Sequence, residues 1–226
     1  LTYYFDMVIF EPVIPKGGRM DAYCAIGARR TIRQFKRDEV DGGQLRRILE
    51  AGVAAPSNDH MRSWDFVVVS SMEKRVELLD KIGAAWSESR IAQWLDGWAN
   101  DDRQRDVYFD AVPIQRKMLL EAPALVVPVY EEHRDLLKPS SLSSLNAFAS
   151  IWCCIENILI AAAAEGLAHT LRIPFEAERP HIKKVLALPE GREVPCYLGL
   201  GYPEDGARYH APIPRPIESR IHADAW

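Results

Sequence analysis

Ala28-Arg29-Arg30-Thr31-Ile32-Arg33-Gln34-Phe35 and, one helix later, Ala55-Pro56-Ser57-Asn58-Asp59-His60-Met61-Arg62-Ser63-Trp64-Asp65-Phe66-Val67-Val68-Val69 decide how this chain is read. The first stretch places three guanidiniums and a hydroxyl within five residues. A phosphomonoester carries close to two negative charges, and the planar, permanently charged arginine fork can meet it bidentately. If the stretch is helical, Arg29 and Arg33 share a face; if it is extended, Arg29, Thr31 and Arg33 do. Charge alone leaves a second reading open, a solvated basic helix end favoured by the dipole of the helix before it. The second stretch is a polar loop feeding an apolar strand. Together they suggest a bound phosphorylated cofactor, and hence an enzyme.

Composition narrows the classes. With 226 residues, 48% of them hydrophobic, the chain can bury a real core. A formal charge of −4 and a pI near 5.9 give no basic footprint, so nucleic acid is not an expected partner. The basic residues over 29–37 are a local cluster in an acidic protein, which favours a small anionic ligand. Cys24, Cys153, Cys154 and Cys196 form no zinc-like or C-x-x-C spacing. Cys153 and Cys154 read as small buried hydrophobes, and a reducing, cytoplasmic compartment is expected. The first ten residues lack a basic n-region and a cleavage site, so no signal peptide is expected. The apolar run from Ala147 to Ala164 contains Glu156 and Asn157 and reads as a buried helix, with no membrane association expected.

Residues 1–20 are punctuated by Pro and Gly and read as an N-terminal arm; 21–226 read as a single domain. Asp21 is expected to cap a helix over 22–29. Asp41, with Gln44 three residues on, begins a second helix as a weak capping box, and that helix stops before Pro56. Strands are expected over 65–70, 124–130, 169–173 and 193–201, and helices over 72–82, 146–165 and 180–186. Gly166 should end the long helix. Residues 84–120 read as two amphipathic helices carrying Trp86, Trp94, Trp98 and Tyr108. Those rings serve either packing or a lid over a pocket for flat aromatic substrates. The proline-rich tail from Tyr202 should run extended across a surface. Neither Gly-x-Gly-x-x-Gly after the first strand nor a Walker loop is present, so a phosphate would be held by side chains.

The two opening stretches, the apolar central helix, Gly-Leu-x-x-Thr-x-x-x-Pro over 166–174, Leu-Gly-Leu-Gly-Tyr-Pro over 198–203 and Arg-Pro at 215–216 occur in an order that resembles the FMN-dependent nitroreductase superfamily. The resemblance covers roughly 20–220. It implies an α+β fold, a mostly antiparallel central sheet flanked by helices, in an intertwined homodimer with an exchanged C-terminal tail and FMN at the dimer interface. By position, Arg29 and Arg30 would lie at the FMN phosphate and ribityl end, and Thr31 at the ribityl or pyrimidine edge. Arg33 would lie near N1–O2, where its charge would favour the reduced flavin. Pro56, Ser57 and Asn58 would pack on the ring from the other subunit. The backbone around Arg172 and Ile173 would face N5, and Arg215 would grip the phosphate from the tail.

The same resemblance implies an NAD(P)H-dependent oxidoreductase. It would reduce an electron-poor aromatic or quinone-like substrate by ping-pong hydride transfer, with the chemistry carried by FMN and no metal. Reductive dehalogenation, destruction of the flavin itself, and a non-catalytic flavin-binding dimer are the alternatives. The chain departs from the commoner Asn-x-Gln-Pro-Trp pattern at His60-Met61-Arg62-Ser63-Trp64. His60 is therefore either a pocket proton donor or a histidine hydrogen-bonded within its loop.

Overall fold

The computed structural model describes residues 7–9, 20–83, 86–97, 102–132, 134–211 and 216–226. Most of the expected arm over 1–20, together with Trp98 and Arg215, lies outside them. Helices run α1 Ala22–Ala28, α2 Gly42–Val53, α3 Met72–Leu78, α4 Glu88–Asp96, α5 Asp102–Ala111, α6 Gln115–Glu121, α7 Asn146–Ala164 and α8 Arg179–Val185. Strands run β1 Met7–Ile9, β2 Trp64–Val68, β3 Ala124–Glu131, β4 Ala168–Arg172, β5 Arg192–Glu193, β6 Tyr197–Gly201 and β7 Arg208–His210. The main sheet has the order β2-β3-β6-β4, with β5 also paired to β3, and every pairing in it is antiparallel. This is the expected α+β architecture.

Strand alternation builds a core on each face of the sheet. Trp64, Val126, Tyr130, Leu198 and Leu200 meet Ile151, Cys154, Ile155 and Ile158 of α7 on one side. Val69, Leu125, Val127 and Val129 meet Leu78, Leu79, Met118, Leu119 and Ile182 on the other. Every residue of β3 from Ala124 to Tyr130 is buried, as a central strand covered on both faces must be. The α7 helix is long and apolar enough to cross a membrane by length and composition, yet one whole face of it is packed into this core. It packs on α2 so closely that a Cβ on Gly52 would stand 2.6 Å from Ile158 Cγ1. Gly166 ends it as expected, at φ +78°. Leu167 N–H donates to Ala162 O at 2.8 Å and Gly166 N–H to Ala163 O at 3.1 Å, the two bonds of a Schellman stop.

Several expectations are corrected. Residues 84–120 hold three helices, because Pro113 lies in the single turn Val112–Ile114 and cannot donate to a continuing helix. The strand expected over 193–201 is two, β5 and β6, interrupted at Val194-Pro195-Cys196, where Pro195 has no N–H for a ladder. Part of the tail is a strand: β7 pairs antiparallel with β1. Asp41 caps α2 by accepting from Gln44 N at 2.9 Å, but the Gln44 side chain does not return the bond. It donates to Glu165 O at 2.9 Å and accepts from Tyr202 Oη at 3.1 Å. Cys154 is buried, whereas Cys153 is exposed, because adjacent residues of a helix point about 100° apart.

Candidate functional site

The arginine stretch is extended. α1 ends at Ala28, Thr31 bridges His169 in parallel and Phe35 bridges Pro203, and Ile32 N–H donates to His169 O at 2.8 Å. Ile32 is fully buried with Ala168 and Ala207, which anchors the segment and fixes its alternation. Arg30 follows Ile32 to that side: its guanidinium stands 5.4 Å from the Tyr209 ring centroid, and Nη1 donates to Arg29 O at 2.7 Å. Arg29 and Arg33 instead share the surroundings of His169, whose ring feels both charges. Arg29 is also paired with Glu156 of α7 at 3.2 Å, a partner that the sequence did not suggest.

Arg33 opens onto a cavity of about 410 Å³. Its walls are Trp86, Trp94 and Tyr108 on one side and Leu171 to Phe175 on the other. Trp94 stands edge-on to both Trp86 and Tyr108, at 5.4 and 5.3 Å between centroids. These rings pack around Ile91, Leu95 and Val112 and also line the cavity. Burial pulls the Arg33 guanidinium below its usual pKa, partly offset by the charge of Asp110.

Arg172 lies beneath this cavity and its side chain is fully committed. Its two terminal nitrogens each meet Glu178 at 2.6 Å, and its Nε donates to Gln115 Oε1 at 2.7 Å. Arg172 therefore offers a ligand backbone and not charge. Ile173, just past the end of β4, is 59% exposed.

The Pro-Ser loop is elsewhere. Ser57 and Asn58 line a second cavity, of about 330 Å³, with Trp64, Tyr130, Glu132 and the first turn of α7. It shares no lining residue with the Arg33 cavity. Pro56 is exposed beside it. The loop is bolted down: Asn58 N–H donates to Ser150 Oγ at 3.0 Å and Arg62 N–H to Ser57 Oγ at 2.9 Å. Asp59, His60 and Arg62 all adopt positive φ, at 50°, 54° and 45°. Left-handed backbone at non-glycine residues costs energy and is held only by surrounding structure. His60 is exposed and lines neither cavity. Its ring makes no hydrogen bond to the described residues, so the loop-bonded reading is not met.

His169 is 1% exposed. Desolvation, reinforced by Arg29 and Arg33, lowers its pKa to about 3 from 6.5. Between those two values the unfolded chain binds a proton that the folded chain refuses. Stability is therefore complete above the unfolded value and falls as pH drops through the window, by up to about 1.4 kcal/mol per unit. Urea unfolding at pH 7.5 and pH 5 should show wild type losing about 2 kcal/mol more than His169→Leu. Equal losses would contradict the assignment.

The sequence reading missed Glu156, Asp110, Gln115 and Glu178, which neutralise or pin the named arginines across the fold. Only Glu178, six residues beyond Arg172, is close enough in sequence to have signalled its pairing. Among the described residues no cluster of three metal-ligand side chains occurs.

A model of the nitroreductase family matches residues 26–202. Curated relatives include a 4-nitrobenzoate reductase of Nocardioides sp. (strain LMS-CY), 24% identical over 81% of each chain. An NADH dehydrogenase of Thermus thermophilus is 26% identical over 88% of this chain and 95% of its own. The crystal structure of an oxidized iodotyrosine deiodinase bound to FMN and 3-iodo-L-tyrosine superposes with a TM-score of 0.67, at 20% identity, over 91% of this chain and all of that one. With the family match spanning most of its length and the fold shared, this chain belongs to the nitroreductase family of oxidoreductases.

Proposed function

We propose that the protein is an FMN-dependent, NAD(P)H-driven reductase of small electron-poor aromatic or quinone-like compounds. It works as a homodimer in which the arginine stretch of one protomer and the Pro-Ser loop of its partner hold each FMN. The observation that carries this reading is the separation of the two halves: Arg33 and Ile173 line one cavity, Ser57 and Asn58 another. A two-fold axis can reunite such halves from different chains.

The residues present fit the cofactor. His169 Nδ1, beside Arg29 and Arg33, is buried without a hydrogen-bond partner, and such an unmet group among cations suits an anionic, oxygen-rich ligand. Thr31 and, by position, Arg215 would complete the grip. The tail over 216–226 is exposed throughout, Ile217, Ile221 and Trp226 included. An apolar tail left in water supports its exchange onto a partner.

FMN, when bound, supplies the hydride- and electron-transfer chemistry that none of these side chains can. The chain's own residues place and shield. Arg33 brings a fixed positive charge to the cavity mouth. Glu178 and Gln115 lock Arg172 and so fix the backbone leading to Ile173. Trp86, Trp94, Tyr108 and Phe175 offer flat apolar walls that exclude water and accept a planar substrate. One cavity of this size must serve reductant and acceptor in turn, so double-reciprocal plots should be parallel.

Mixed dimers test the split site. An Arg33→Ala chain and an Asn58→Ala chain should each retain FMN poorly alone. Co-expressed with two different tags and isolated as the mixed dimer, they should recover about half the wild-type flavin content, because one of the two sites in a mixed dimer is intact. Recovery absent from mixed dimers, with each single variant folded, would contradict a site shared between chains.

A further inference from the structure

The second cavity has chemistry of its own. Three of its lining residues each carry a buried polar atom with no hydrogen-bond partner: Trp64 Nε1, Tyr130 Oη and Glu132 Oε2. These residues are only 8%, 2% and 8% exposed. Folded proteins rarely leave such groups unmet, and three at one cavity point to a missing partner.

Their placement is built in. Trp64 and Tyr130 are direct partners across β2 and β3, so their side chains leave the same face of the sheet. Glu132 is fixed just beyond β3: its N–H donates to Gly191 O at 2.7 Å, and Oε1 accepts from Arg134 N at 2.8 Å. Neither bond reaches Oε2.

The donor and acceptor inventory defines what would complete them. The Trp64 indole only donates. Burial and the charge of Glu132 push the Tyr130 phenol pKa up, so Tyr130 keeps its proton and can donate. Glu132 Oε2 accepts, and no cation among the described residues meets it. Removing a carboxylate from water without a cation or a full set of donors costs several kcal/mol, on the order of the strongest single contacts.

We propose that this cavity is a binding site for a small ammonium-bearing ligand with an adjacent oxygen substituent. The ammonium donates to Glu132 Oε2 beside the Trp64 and Tyr130 rings, which also attract a cation. The oxygen accepts from the Trp64 N–H and Tyr130 O–H. A volume of about 330 Å³ suits a ligand of one ring and a short chain. The proposal deepens the reductase reading and rests on it: Ser57 and Asn58, assigned there to FMN, line this same cavity, so the ligand would lie beside the flavin half-site.

Calorimetric titration of the protein as purified, with phenylethanolamine and with phenylpropanol, in which a methyl group replaces the ammonium, is decisive. Wild type should bind the amine at least about tenfold more tightly, the discrimination expected of one charge-assisted hydrogen bond. Glu132→Gln should abolish that preference while flavin content and far-ultraviolet dichroism stay unchanged. Tyr130→Phe should weaken the amine several-fold and keep the preference. Equal affinity for the two compounds, binding of neither, or a Glu132→Gln chain that still prefers the amine would overturn the proposal. If Glu132→Gln fails to fold, the wild-type preference and the Tyr130→Phe result decide it. Full flavin retention by Arg33→Ala would count against the reductase reading alone.

Discussion

Glu178→Ala is expected to destabilise the fold by about 3–5 kcal/mol, the usual consequence of stranding one member of a buried ion pair. At this chain length that corresponds to a fall in Tm of about 10 °C. Arg172 and Glu178 are each only 6% exposed at the side chain, and the pair is bidentate. With Glu178 gone, the guanidinium keeps the Gln115 hydrogen bond and the Phe175 ring at 5.5 Å, but no described carboxylate. The large effect reflects the stranded cation, not a large net worth of the pair, since a well-packed apolar replacement of both partners is often neutral. The double variant Arg172→Met/Glu178→Leu should therefore recover most of the loss. Thermal or urea unfolding checks both. A loss below about 1 kcal/mol for Glu178→Ala would show that the site is better hydrated than its burial indicates.

Arg33→Ala is expected to weaken FMN retention by about ten- to a hundredfold, the range for losing hydrogen bonds to a charged group. Arg33 lines the cavity, and its charge is held against desolvation, offset among the described residues by Asp110. An anionic ligand is what such a cation lacks. Arg33→Lys keeps the charge but loses the planar fork, and should fall between the two. Arg29→Ala should also reduce retention, but by less. Arg29 already shares its charge with Glu156, so a ligand must compete with or share that contact. Flavin titration of the apoprotein measures all three. Because Arg33→Ala removes a desolvated charge, it should not lower the Tm of the apoprotein, which separates a binding defect from an unfolded chain.

The fold was legible where local chemistry and burial agree. Asp21, Asp41 and Gly166 mark helix ends at the positions where helices begin or end, and the apolar run over 147–164 is the core helix α7. It was not legible where one proline changes the outcome within an apolar or amphipathic stretch, as at Pro113 and Pro195. The β1–β7 pair joins the two ends of the described chain, and no local pattern announces such a pairing. At the candidate site, alternation in the arginine stretch was stated as one of two options, and Ile32 decided it by being buried. What stayed hidden was the set of long-range carboxylates. Glu156 lies more than a hundred residues from Arg29, and Glu178 acts on Arg172 only because a turn brings it back beneath the strand. The orphaned group of Trp64, Tyr130 and Glu132 was equally invisible, since a missing hydrogen bond has no sequence signature.

The visible spectrum of the purified protein, followed by anaerobic addition of NADH and then NADPH, tests the central claim most directly. The account predicts the yellow spectrum of bound FMN, bleached by at least one of the two nucleotides and restored by a nitroaromatic compound or a quinone. A colourless protein that takes up no FMN on titration, or a bound flavin that neither nucleotide reduces, would contradict it.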